Sequence, residues 1–378
     1  LKFDNENDFL TCSNYLCEFS RQIRFWNYHI DKFLAQNKLL MKRVTAFLFS
    51  FLIYQCVLAQ QKPQYTQYVM NNFILNPAIA GIENYVDVKA GYRAQWQGLE
   101  GAPVTSYVSI HAPLGKNFLY GTSTSVPQGG GSNPNSRSYL QNYMASEPHH
   151  GVGFTAVSDK AGPISRTDVN LNYAYHIGIT EQVNVSVGLA AGISKIYLDR
   201  SGLVLENPND QAIGNGSYDN FKPDLSAGIW LYGPQFFAGA SAQQLLKSPI
   251  GFSDDPLTYD QGRKVPHIFV TAGYKVYLGD DFAAIPSALL KIVTPVPASV
   301  DVNLKLAYKD RFWIGGSYRK DDAFAGMAGF NVGSFMNIGY SYDLTTSGLN
   351  TVSNGSHEVV LGIFLNNRYK VSCPQKSW

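Results

Sequence analysis

An all-β fold, a transmembrane antiparallel β-barrel of about 14 strands, is what three features of this sequence predict. Apolar residues recur on every second position over segments of about ten residues, long enough for a tilted strand to cross a bilayer. Aromatic residues make up 13% of the chain, with 24 Tyr and 22 Phe, while charged residues reach only 15%. That balance suits a wall with aromatic girdles at both membrane interfaces. Beyond the first 59 residues no apolar run is long enough for a membrane helix. A membrane-spanning chain of this kind must therefore close its sheet, because an open edge leaves backbone groups unpaired in lipid.

The first elements concern export. Residues 1–40 contain no methionine and are read as leader upstream of the true start; Met41 then opens a secretory signal over 41–59. Lys42 and Arg43 form its positive end, residues 44–58 its apolar core, and Val57-Leu58-Ala59 its small-residue cleavage site. The mature chain is expected to begin at Gln60. Cys12, Cys17 and Cys56 fall in the removed part, so Cys373 alone remains and neither a disulfide framework nor a cysteine metal site can form within one mature molecule. With 23 basic and 23 acidic residues left, the mature chain is formally neutral and nothing marks it for nucleic acid.

The segment 60–84 holds Tyr65, Tyr68, Met70, Phe73, Ile74 and Leu75 before the turn-like Asn76-Pro77 and Ala80-Gly81. Those apolar residues are too many for a solvated leader, and the segment is expected to pack at or in the barrel mouth. From Val86 the alternation sets Val86, Val88, Ala90, Tyr92, Ala94 and Trp96 against Asp87, Lys89, Arg93 and Gln95. It returns over 167–177, 183–193, 300–308 and 336–344. Strands are placed near 85–96, 104–112, 151–158, 166–177, 183–194, 223–232, 235–242, 267–278, 285–294, 299–309, 312–319, 323–332, 335–343 and 357–365. The segments 151–158, 285–294 and 323–332 are glycine- and alanine-rich or irregular in pattern.

With the N-terminus in the periplasm, the odd-numbered connections face outward, among them 195–222, 243–266 and 344–356, and most even-numbered ones are tight, such as Gly233-Pro234 and Gly333-Ser334. The connection from Pro113 to His150 breaks that rule. Its polar, glycine-rich stretch 121–148 reads as a flexible insertion in the barrel domain 85–365, and 366–378 as a C-terminal tail.

A set of motifs runs through this frame: Gln64-Tyr65-Thr66-Gln67-Tyr68, Asn76-Pro77-Ala78 with Ala80-Gly81, Tyr92-Arg93 and Gln95-Trp96. Others follow, including Ser109-Ile110-His111-Ala112-Pro113-Leu114, Asn172-Tyr173-Ala174-Tyr175-His176 and Gly339-Tyr340-Ser341-Tyr342-Asp343. In order and spacing, from about residue 61 to 365, the chain resembles the PorP/SprF outer-membrane proteins of the Bacteroidota type IX secretion and gliding system. The resemblance implies a non-enzymatic barrel in the outer membrane, a partner or cell-surface anchor for secreted adhesin-like cargo with a C-terminal secretion domain. It also implies contact with periplasmic components of the machine. The insertion 121–148 stands where a tighter connection is common in that family.

The residues themselves supply candidate sites. The wet faces of the strands, Asp87, Lys89, Arg93 and Gln95, then Arg166, Asp168, Asn170, Asn172 and His176, then Asp301, Asn303 and Lys305, are expected to line a polar lumen able to hold water, a plug or a threaded peptide. Taken singly, such groups more often neutralise one another and pin the barrel's shape. Ser109 and His111 share a strand face, a superficial likeness to a lipid hydrolase, yet they alternate with Val108 and Ile110 and so should face the lumen, away from lipid. His149-His150 reads as a solvated pair in a polar loop, without the spacing of a metal site. The oxygen-rich run Glu206–Asn220 lacks the ordered calcium-loop pattern, and Gly129-Gly130-Gly131 lacks a strand-to-helix setting for phosphate. No cofactor is implied. The outer loops join polar residues to Leu203, Leu205, Leu245, Leu246, Ile250 and Phe252, an apolar set of the kind that marks a partner site. An outer-membrane diffusion channel or apolar-solute transporter is the alternative to cargo anchoring.

Overall fold

The computed structural model describes residues 62–115, 126–127, 135–137, 140, 143–199, 218–247, 249–250, 262–367 and 371–372. Their strands, numbered in chain order, are β1 Val86–Ala94, β2 Val104–Leu114, β3 His149–Ala161, β4 Ile164–Gly178, β5 Asn184–Leu198, β6 Tyr218–Tyr232, β7 Phe236–Gln243, β8 His267–Tyr274 resuming at Val276–Leu278, β9 Phe282–Val293, β10 Val296–Tyr308, β11 Phe312–Arg319, β12 Ala323–Val332, β13 Met336–Thr345 and β14 Ser356–Leu365. Each pairs antiparallel with its sequence neighbours, and β1 pairs with β14 from Val86↔Leu365 to Ala94↔His357. The result is a closed 14-strand barrel.

Every expected strand is present, including the irregular ones, and several run longer than expected. β5 continues to Leu198 and β6 begins at Tyr218, so the expected loop 195–222 shortens at both ends; within 243–266, Pro249–Ile250 pairs with Gly262–Arg263. The ladder tolerates these extensions because β5 and β6 support each other outward, pairing as far as Leu198↔Tyr218. His149 and His150 are likewise strand residues. They open β3 and pair with His176 and Tyr175, which corrects the solvated-loop reading.

The alternation sorts the two faces as expected. Leu171 is 68% exposed and Val302 50%, whereas Asn172 and Asn303 beside them are buried. The exposed row continues through Val169, Tyr173, Leu304 and Leu306, an apolar band suited to lipid, as the wall of a membrane-spanning barrel requires. Leu171→Arg, midway along β4, is accordingly expected to cost about 2–4 kcal/mol of barrel stability. Asn172→Arg should cost less, and urea titrations of the two variants in detergent or lipid vesicles check the difference.

The barrel has a near end, where β1 starts and β14 finishes, and a far end. Short turns join strands at the near end, at 179–183, 233–235, 279–281, 309–311 and 333–335; the far end carries 95–103, 199–217, 244–266 and 346–355. The segment before β1 fills the interior rather than one mouth. It enters at the far end, where Lys62 Nζ donates to Gln243 Oε1 at 2.7 Å, and leaves at the near end, where Gly81 meets His111 and His149. On the way it forms three single 3-10 turns, Gln67–Val69, Asn72–Ile74 and Pro77–Ile79. So irregular a backbone survives at membrane depth because the wall supplies its partners. Ser241 and Gln243 donate to the Leu75 carbonyl, Ser186 to that of Ala78, and His176 Nε2 lies 2.8 Å from that of Ala80.

The lumen is less polar than its sequence suggests. Phe269, Leu289, Trp313, Met327 and Val360 point inward and pack on Tyr68, Met70 and Leu75. Lower down, Trp230 and Phe237 pack with Phe73, Ala78 and Ile79. These side chains are apolar because they face a segment of protein, not water.

The long connection between β2 and β3 is anchored at its described residues. Ala145 N donates to Glu181 O at 2.7 Å and Ser146 N to Asn184 Oδ1 at 2.9 Å, while Asn135 reaches the Lys309 carbonyl in the β10–β11 turn. In the strand ring, the β4–β5 and β10–β11 turns lie six strands apart, on opposite sides. The described residues of the connection thus form a strap anchored on opposite sides of the near mouth, and Val126–Pro127 pairs with Val371–Ser372 of the tail.

Candidate functional site

The plug and its sockets form the principal candidate site. At the far half, Glu358 is fully buried and its Oε2 accepts the backbone N–H groups of Thr66 at 2.7 Å and Gln67 at 3.2 Å. Arg93 bridges this carboxylate to Asp343, with NH1 3.1 Å from Glu358 Oε2 and NH2 2.7 Å from Asp343 Oδ2. Thr66 Oγ1 donates to Asp343 at 2.6 Å, and Tyr107 OH donates to Glu358 Oε1 at 3.1 Å. Beside it, Arg319 binds Asp301 at 3.2 Å and Asp322 at 3.0 Å. Charges this deeply buried persist only when each has a charged or hydrogen-bonding partner. The network is thus a latch that holds the start of the plug to β1, β13 and β14.

Lys62, at the head of the plug, has its ammonium pKa pulled below the ordinary value by burial, against the opposing charge of Asp168.

Glycines in the wall make the lower sockets. A Cβ at Gly188 would fall on the backbone of Ala78, and one at Gly151 on the carbonyl of Ala80. Gly81, at φ +77°, itself touches Gly151, so plug and wall meet backbone to backbone. Near this contact His149 and His176 stack at 4.6 Å with an interplanar angle of 1°, their Nε2 atoms set against the carbonyls of Gly81 and Ala80.

The motif residues noted in the sequence converge on this site. Tyr65 packs edge-on against Tyr107 at 5.3 Å, and Tyr68 accepts a hydrogen bond from Asn303. Asn76 caps the turn begun by Pro77 by accepting Ala78 N–H at 3.0 Å, and its amide donates to Ile229 O of β6 at 2.9 Å. Ala78 and Gly81 fill the glycine sockets, and Arg93 is the centre of the latch. Trp96, just after β1, has a left-handed φ of 44°, and its N–H donates to Ser356 Oγ at 3.1 Å.

Ser109 and His111 do face the lumen, and the plug occupies both. Ser109 Oγ accepts from Asn71 at 2.9 Å, while His111 Nδ1 accepts from Gly81 N–H at 3.3 Å. That assignment puts the ring proton on Nε2, 3.7 Å from Asp87. Among the described residues no cluster of three or more His, Cys, Asp or Glu is placed to hold a metal ion.

Of the apolar loop residues, Leu245 is half-buried at the far rim and Leu246 is 40% exposed. Ile250 lies in the short pair with Gly262–Arg263. Leu203, Leu205 and Phe252 lie outside the described residues, as does Glu206 to Gly216. Glu358 and Asp343 were not singled out in the sequence as latch residues. One signal was available in β14, where Val359, Val360 and Leu361 are consecutive apolar residues, as a strand contacted on both faces requires.

Solved barrels of similar form include the Ralstonia pickettii toluene transporter TbuX, at 9% identity and a TM-score of 0.47 over 78% of this chain and 93% of that one. The monoaromatic hydrocarbon channel CymD is 12% identical with a TM-score of 0.44 over 78% and 91%. The Pseudomonas putida toluene transporter TodX is 9% identical with a TM-score of 0.41 over 82% and 95%. A search among proteins of curated function gave no match. The match to a family model is extensive, covering residues 57–363 and hence the plug, its sockets and nearly all of the wall. The chain belongs to the PorP/SprF family of type IX secretion system membrane proteins.

Proposed function

We propose that this barrel is a non-enzymatic partner or cell-surface anchor for cargo of the type IX secretion system, binding the C-terminal secretion domain of an adhesin-like protein at its far end. The observation that carries this reading is the filled lumen. A plug latched through Glu358 and seated on Gly151 and Gly188 leaves surfaces, rather than a path, for the protein to work with. Short turns belong to the periplasmic side of such barrels, which directs the far end and its loops outward. Leu245, Leu246 and Ile250, with Leu203, Leu205 and Phe252, supply the apolar part of the docking surface. The strap and tail at the near end then face the periplasm, where secretion or gliding components would meet them.

The test is to shorten 200–217 and 251–261 with polar residues while keeping the flanking strands. The barrel should insert as before, and the cognate cargo should vanish from the cell surface and accumulate inside or in the medium. Unchanged display with reduced uptake of small solutes would replace anchoring by the channel reading.

A further inference from the structure

The far half of the lumen holds three lysines with no ion pair among the described residues. Lys62 enters there on the plug, Lys264 precedes β8, and Lys291 stands near the end of β9. Among the described residues none of the three makes an ion pair within 4.0 Å. Most neighbouring carboxylates are paired with arginines: Asp168 with Arg166 at 3.0 Å, and Asp301 and Asp322 with Arg319. Asp224 accepts the Leu225 N–H through Oδ1 at 2.9 Å, and among the described residues its Oδ2 has no hydrogen-bond partner. Lys264 is 4% exposed, and among the described residues its Nζ has no hydrogen-bond partner. Two cavities flank the head of the plug. One is lined by Lys62, Thr155, Asp168, Asn170 and Gln243; the other by Gln64, Lys291, Ser299, Asp301 and Arg319.

An ammonium buried without a partner is costly, and an arriving anion removes that cost. Lysine, a point charge with three donors, accepts carboxylate and phosphate oxygens alike. We propose that this vestibule is a receptor for a polyanionic ligand, carboxylate- or phosphate-bearing, seated among Lys62, Lys264 and Lys291. The site is independent of cargo anchoring, since binding is a property of the purified barrel and cargo display a property of the cell.

Calorimetry on the full purified protein at low ionic strength tests it with two probes, a tetraglutamate peptide and inorganic tripolyphosphate. At least one should bind, more weakly as salt rises. Lys264→Gln and Lys291→Gln should each weaken binding by more than about tenfold, Lys264→Arg should retain it, and Lys320→Gln, exposed at the same end, should leave it unchanged. Preference for tetraglutamate assigns the site to an acidic peptide; preference for tripolyphosphate assigns it to a phosphate source such as a lipid headgroup. No binding of either probe, or equal binding by the lysine variants, overturns the proposal.

Discussion

Glu358→Ala is expected to destabilise the barrel by about 3–5 kcal/mol, because it removes one partner of a buried ion pair and leaves the other behind. The carboxylate is fully buried and accepts from Thr66 N–H, Gln67 N–H, Arg93 and Tyr107. After truncation Arg93 retains only Asp343 as a charged partner, and two plug amides lose their acceptor inside the barrel. Glu358→Gln keeps an acceptor oxygen and should cost less. Urea unfolding of the folded barrel measures the two losses, and a cycle with Arg93→Ala separates pairing from packing. Trypsin sensitivity at Lys62 should rise in step, because the latch holds the residues just after it. A loss below about 1 kcal/mol for Glu358→Ala would mean that the latch is solvated, as an exposed pair would be.

Gly188→Val should open the lumen. Even a single added Cβ at this position meets the backbone of Ala78 and Pro77, and backbone cannot move aside as a flexible side chain can. The wall is a continuous ladder, with Gly188 paired to Ala174 and Gly228. The plug is held by separate side-chain contacts, so the plug should yield. A barrel of 14 strands lies between those filled by side chains and those that keep an aqueous channel, so displacement should leave a path for water and small ions. In planar bilayers the parent protein should be silent and the variant should show stepwise ion conductance. Gly326→Val is the control, because a Cβ there meets open space. A Gly188→Val barrel that folds and stays silent would show that the contact of Gly188 with Ala78 is not what keeps the lumen closed.

Much of the architecture was legible in the sequence because a β-strand writes its two environments on alternate residues. Leu171 beside Asn172 and Val302 beside Asn303 specify lipid on one side and protein interior on the other, whatever the rest of the chain does. Closure follows from the same pattern, since lipid tolerates no open edge. The order of strands follows from short connections joining neighbours. The apolar content of 60–84 already required that segment to be covered, with packing at or in the barrel mouth as the expectation.

Tertiary structure alone decided what covers it and how. Glycine at 188 or 151 reads as a weak strand position, and only the plug pressing there explains why no side chain is tolerated. Glu358 is one carboxylate in a strand until Thr66, Arg93 and Asp343 arrive from distant parts of the chain. His149 looks solvated in sequence and is buried because β3 begins early enough to stack it on His176. The difference is physical. Strand parity is a local property of the backbone, whereas a socket, a latch or an uncompensated lysine exists only where segments remote in sequence share the same small volume.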